Sequence, residues 1–81
     1  MSRSRKPTNK VLYDYCKKNI EDFSERESIA WGIMDRQRCS LAMAEPSLYY
    51  EMNNCIEDYC IDNELNAEDY DTEEVFFHHD K

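Results

Sequence analysis

Leu48-Tyr49-Tyr50-Glu51-Met52-Asn53-Asn54-Cys55-Ile56-Glu57-Asp58-Tyr59-Cys60 is the stretch whose reading decides the fold. Leu48, Met52, Cys55, Ile56, Tyr59 and Cys60 recur at i, i+4, i+7, i+8, i+11 and i+12, so all six fall on one side of an α-helix. The opposite side carries Glu51, Asn54, Glu57, Asp58 and Asp62. Pro46 and Ser47 suit a helix start, Pro because the first turn does not need its missing N–H and Ser as a capping acceptor. The spacing predicts a helix over 47–64 with one buried face and one acidic face.

Upstream, Pro46 disfavours helical geometry at Glu45 and so ends whatever precedes it. Ile29, Ala30, Ile33, Met34, Leu41 and Ala44 form a second stripe, with Trp31 at its edge. Ser24-Glu25-Arg26-Glu27 has the spacing of a capping box, in which Ser and Glu each satisfy the other's backbone amide. This predicts a helix over 25–43. Gly32 interrupts it at a cost of about 1 kcal/mol against Ala and is expected to mark a close crossing by another helix. Further back, Val11, Leu12, Tyr15, Cys16, Asn19, Ile20 and Phe23 repeat at helical spacing after a cap at Thr8 or Asn9, predicting a helix over 9–22. Asp14 precedes Lys18 by four, and Lys17-Lys18 lie where the helix dipole favours cations.

Downstream, the pattern decays into acidic sequence. Asn66 and Asp71 are placed to cap short helical turns, and Val75-Phe76-Phe77 is an apolar cluster that either folds back onto the core or anchors another chain. Folding back is expected, because adjacent exposed apolar residues invite aggregation.

These elements make an all-α protein, a small three-helix bundle with an acidic C-terminal segment packing on one end. Short connections favour antiparallel neighbours. The organisation is a basic flexible arm over 1–7, the bundle over 8–65 and the acidic segment over 66–81. Eighty-one residues, 41% of them hydrophobic, suffice for one small core, while one Gly and two Pro disfavour a many-stranded sandwich or barrel. The expected core is Leu12, Cys16, Ile20, Phe23, Ile29, Ile33, Met34, Leu41, Met52, Cys55, Ile56, Tyr59 and Phe76. No apolar run is long enough to cross a bilayer, and the start is polar, without an apolar signal segment, so a cytoplasmic location is expected.

Charge is unevenly spread. Residues 1–40 hold nine basic and six acidic side chains, a net of +3, and residues 41–81 hold one basic and twelve acidic, a net of −11. Such asymmetry points to an interaction surface, although surface carboxylates also serve plain solubility. On the predicted 47–64 helix, Glu51, Asp58 and Asp62 share a face at separations of about 10 and 6 Å, and Glu57 and Glu64 form a second row about 10 Å apart. Duplex DNA presents a phosphate roughly every 3.4 Å along each strand. A rigid helix with carboxylates at such intervals is suited to a basic groove meant for nucleic acid, with Tyr49 and Tyr50 as anchors. Glu51, Glu57, Asp58, Asp62, Glu64, Tyr49 and Tyr50 are therefore the candidate partner-binding residues. The partner would be a basic protein surface, for example that of a nucleic-acid-binding enzyme.

The competing reading is direct nucleic-acid contact through Arg3, Arg5, Lys6 and Lys10, continued by Arg36 and Arg38; the net charge of −8 opposes it. A third reading is a homo-oligomeric structural subunit in which Val75, Phe76 and Phe77 insert into a neighbour.

Nothing in the pattern builds a catalytic site. Paired acid–base work needs two carboxylates in a cleft with separated pKa values, and His78-His79 near the end is a poor place for a preorganised site. Cys16, Cys39, Cys55 and Cys60 form no C-x-x-C pair, so no metal or cofactor is expected. Cys55 and Cys60 lie about 140° apart around a helix and do not bridge each other. Reduced core thiols, a disulfide formed on oxidation, and a metal site are the three readings of the cysteines, the first being the ordinary one. In size and composition the chain resembles accessory proteins encoded by phages and mobile elements, some of which are DNA-mimic inhibitors of restriction or CRISPR nucleases. The resemblance covers composition and size and carries no functional residue over. The expected function is a non-enzymatic inhibitor or adaptor, acting in the host cytoplasm if the chain is phage-encoded.

Overall fold

A computed structural model of the chain describes residues 7–79. Helix α1 spans Asn9–Asn19, α2 Phe23–Gln37, α3 Leu41–Ala44, α4 Pro46–Asp62 and α5 Thr72–Phe77, with a 3₁₀ turn at Ala67–Asp69. The described residues contain no strand, and the protein is all-helical. Helix α4 packs against α1, α3 and α5, and α5 also packs against α1.

With only one Gly, the chain turns corners on residues that pay a steric penalty for it. Asp22, Arg38 and Glu64 all adopt left-handed backbone, with φ of 57, 55 and 59°. Arg38 ends α2 as its amide donates to the Met34 carbonyl at 2.7 Å. Glu64 ends α4 in a Schellman motif: the Leu65 amide donates to the Cys60 carbonyl at 2.7 Å and the Glu64 amide to that of Ile61 at 3.3 Å.

Besides the end of α4 at Asp62 in place of 64, three boundaries differ from the sequence expectation. Helix α1 stops at Asn19, short of 22. Helix α2 starts at Phe23, with Asp22 preceding it and making no side-chain cap bond. The Ser24–Glu27 capping box is therefore not formed; Ser24 lies inside the helix, and the Glu27 carboxylate accepts a hydrogen bond from the Tyr13 hydroxyl of α1 instead. The reason is burial: Phe23 is in the core and is held in the first turn of α2. The third difference is that the expected 25–43 helix breaks at Arg38 and resumes as α3. The new helix start finds ready acceptors. Ser40 Oγ takes the Met43 amide at 3.3 Å, and the Glu73 carboxylate, reaching across from α5, takes the amides of Leu41 and Ala42 at 3.4 and 3.2 Å.

The core contains Leu12, Tyr13, Cys16, Ile20, Phe23, Ala30, Met34, Leu41, Leu48, Met52, Ile56, Cys60, Val75 and Phe76. Ile33, Cys55 and Tyr59, expected inside, are half-buried. Ile29 is a correction: it is 51% exposed, because the inward side of α2 is centred on Ala30 and Met34 and Ile29 falls beyond its edge. Asn66 and Asp71 cap as expected, accepting from the amides of Glu68 at 3.0 Å and Glu73 at 3.2 Å. Val75 and Phe76 fold back completely, and Phe76 stacks on Trp31 at 5.3 Å.

Gly32 does not mark a helix crossing. A methyl group there would meet only the flexible Arg36 guanidinium, at 3.7 Å. Gly32→Ala is thus expected to stabilise the fold by up to about 1 kcal/mol, raising Tm by roughly 4–8 °C in a thermal melt. A lowered Tm would mean that the helix interior does not tolerate a side chain there.

The ionisable groups whose protons are held most tightly all act in the same direction. Burial is the main cause of the rise at Cys16, Cys55, Cys60, Tyr15 and Tyr70, and it pushes Cys16 up to about 12. The folded chain therefore ionises these groups less readily than the unfolded one. Their contribution to stability is fully present below the ordinary thiol value of 9.0 and is lost as pH rises toward the folded values. Tm should hold below pH 9 and fall progressively between pH 9 and 12; a Tm unchanged up to pH 12 would contradict this reading of the core.

Candidate interaction surface

Helix α4 starts with Pro46 in its first turn and turns Leu48, Met52, Ile56 and Cys60 fully inward. A residue every 100° around the axis then sends Tyr50, Asn54, Glu57 and Ile61 to the opposite side, with Asp58 and Asp62 on one flank. All six are exposed.

The structure separates the candidate residues into two groups. Glu57, Asp58 and Asp62 stand outward on α4, with no ion pair or hydrogen-bonded cation among the described residues. Glu51 is different: its carboxylate is 3.2 Å from the Arg26 guanidinium of α2, which also donates to Ser47 Oγ at 3.1 Å. This pair ties α2 to the first turns of α4 and removes Glu51 from the outward field. Glu64 also leaves the expected row. Helix α4 ends at Asp62, so Glu64 sits on the left-handed turn after it, exposed but out of line with Glu57. Tyr49 is half-buried against the core, and only Tyr50, 66% exposed, stands as a free aromatic.

Of the acidic residues further on, Glu73 is committed to the start of α3. Arg3, Arg5 and Lys6 lie outside the described residues. Lys10 is exposed and 3.3 Å from Asp14, Arg36 is exposed in the last turn of α2, and Arg38 is exposed on the turn that follows it.

Two features escaped the sequence reading. Ile61, 72% exposed, sits in the middle of the acidic face. Its signal was available, since it falls outside the apolar spacing of its own helix. Arg26 was legible only as a helix residue, because its partner is distant in sequence.

The electrostatics of the surface are set by position on the helix. Glu57, Asp58 and Asp62 occupy the last two turns of α4, where unsatisfied carbonyls give the helix its negative end, and the last turn contains no basic residue. Their field reaches across the α1–α4 seam: the Tyr15 phenol is pushed up, first by burial and then by Asp62 and Asp58.

No family model matches this chain. Neither a curated protein nor a solved structure matches it either.

Among the described residues no group of His, Cys, Asp or Glu is arranged to hold a metal ion, and no helix is long and apolar enough to cross a membrane. His79 stacks flat on Tyr13, ring centres 3.6 Å apart, and His78 is exposed.

Proposed function

We propose that this chain is a non-enzymatic binding protein that presents the outward face of α4 to a basic protein surface, as an inhibitor or adaptor imitating nucleic acid. In this reading α1, α2 and α4 are the three helices of a supporting bundle, and the acidic C-terminal segment closes one end of it. The observation that carries the proposal is the placement of Glu57, Asp58 and Asp62. Three carboxylates without cations at the negative end of a helix oppose its stability by about 0.3–1 kcal/mol each. An arrangement that costs stability and stays exposed is accounted for by recognition, not by folding. Counterion release from the partner would supply much of the affinity, as it does for nucleic acid itself.

The basic-arm reading has less behind it. Of the four basic residues it names, Lys10 on α1 is the one described, and it is engaged with Asp14. The oligomer reading loses two of its three anchors, because Val75 and Phe76 are consumed by the chain's own core.

The test is capture from host lysate on immobilised protein at low and high salt, beside a variant with Glu57→Gln, Asp58→Asn and Asp62→Asn. A basic partner should bind at low salt, elute as salt rises, and be lost with the variant. A partner retained at high salt, or captured equally by the variant, counts against the proposal. A gel-shift assay with and without residues 1–7 addresses the arm: no shift is expected at physiological salt.

A further inference from the structure

Cys16 lies fully buried on α1, and its thiol donates to the Met52 carbonyl of α4 at 3.7 Å. Cys55 stands three residues further along α4 than Met52 and one turn before Tyr59, on the side of α4 that meets α1, and each thiol lies within electrostatic reach of the other. Beside them Tyr15 and Tyr59 meet edge-on with ring centres 5.1 Å apart, which fixes the register of the two helices at this level. All four cysteines are free thiols. Cys39 follows the end of α2, and Cys60 lies on α4 about 140° around the axis from Cys55.

We propose that Cys16 and Cys55 are a site of oxidative cross-linking, closing to an intramolecular disulfide that ties α1 to α4 when the folded chain meets a two-electron thiol oxidant. The proposal is independent of what α4 binds, since neither sulfur lies on its outward face.

Diamide, a diazene, is such an oxidant. The Cys55 thiol, the half-exposed member, gives up its proton and its sulfur adds to one nitrogen of the N=N bond, leaving a sulfur–nitrogen adduct. The Cys16 sulfur then attacks Cys55 Sγ; the S–S bond forms, the S–N bond breaks, and the departing hydrazine carries away two electrons and two protons. Both thiols are held above the usual thiol range: Cys16 by burial and then by Cys55, and Cys55 by burial, which outweighs the lowering influence of Cys16, with Asp58 and Glu51 adding smaller rises. Thiolate is the attacking species, so the pair is slow to oxidise at neutral pH and faster as pH rises. The bond closes a loop of about 40 residues, long enough for a large loss of unfolded-state entropy.

The experiment treats the folded, reduced full chain with diamide, blocks remaining thiols with iodoacetamide under denaturing conditions, and maps the peptides by mass. The expected product is a monomer lighter by two hydrogens, with Cys39 and Cys60 alkylated and Cys16 joined to Cys55. Its Tm should rise by on the order of 10 °C and return on adding dithiothreitol. Cys39→Ser should leave product and shift unchanged, and Cys55→Ser, at a half-exposed position, should abolish both. A bond involving Cys39 or Cys60, disulfide-linked dimers alone, or four alkylated cysteines after diamide would overturn the proposal.

Discussion

Ile56→Asp is expected to abolish cooperative unfolding, leaving the variant unfolded at 25 °C by circular dichroism. Ile56 is 2% exposed, at the centre of the inward side of α4, and α4 packs against α1, α3 and α5. An aspartate there has no described cation facing it. It must either bury a charge without a partner or take up a proton against its ordinary pKa, and several kcal/mol are lost in either case, together with the apolar contacts of the isoleucine. A chain of this length has a total stability of roughly 4–12 kcal/mol, so the change uses up most or all of it. Ile61→Asp is the matched control. It makes the same change in the same helix, about 140° around the axis, at an exposed position. Its expected cost is a few tenths to about 1 kcal/mol, chiefly from another negative charge at the helix end. If both variants melted alike, the inward side of α4 would be misassigned.

That pair also locates what the sequence made legible. The apolar spacing of α4 was long and regular, and Leu48, Met52, Ile56 and Cys60 are inward where the pattern put them, with Cys55 and Tyr59 half-buried at the edge, because a buried stripe must satisfy one period over many turns. Short-range turn chemistry was readable where the side chain itself does the capping, as at Asn66 and Asp71. It was unreadable at Arg38 and Glu64. A left-handed turn is normally announced by Gly, and here it is imposed on other residues by packing: Leu41 and Leu65 must reach the core on either side. The Ser24–Glu27 box failed for a related reason. Its Glu27 had a better use, accepting from Tyr13 on a different helix, and a local motif carries no information about a distant donor. The acidic surface shows the same division. The exposure of Glu57, Asp58 and Asp62 follows from periodicity alone, whereas the capture of Glu51 by Arg26 and of Glu73 by the α3 amides depends on contacts between elements far apart in sequence. Counting carboxylates therefore overstates the outward charge.

Neutralising Glu57, Asp58 and Asp62 together should make the protein more stable while removing the partner affinity proposed for it. Each carboxylate in the last two turns of α4 faces the negative end of the helix dipole, worth about 0.3–1 kcal/mol per charge. Asp58 and Asp62, four residues apart, also repel each other by a few tenths of a kcal/mol. With no cation among the described residues to be orphaned by the change, Glu57→Gln, Asp58→Asn, Asp62→Asn is expected to gain about 1–2 kcal/mol, raising Tm by roughly 4–15 °C at low salt. Added salt should shrink the difference between wild type and variant, because screening already relieves the repulsion in the wild type. Replacing Glu51 by Gln should have the opposite effect, a small loss, since it leaves the half-buried Arg26 without its carboxylate. The two measurements together separate outward from structural charge. A residue placed for recognition opposes the fold and favours the complex, whereas one placed for the fold does the reverse. If the triple variant were less stable than the wild type, those carboxylates would be supporting α4, and their exposure would no longer argue for a partner.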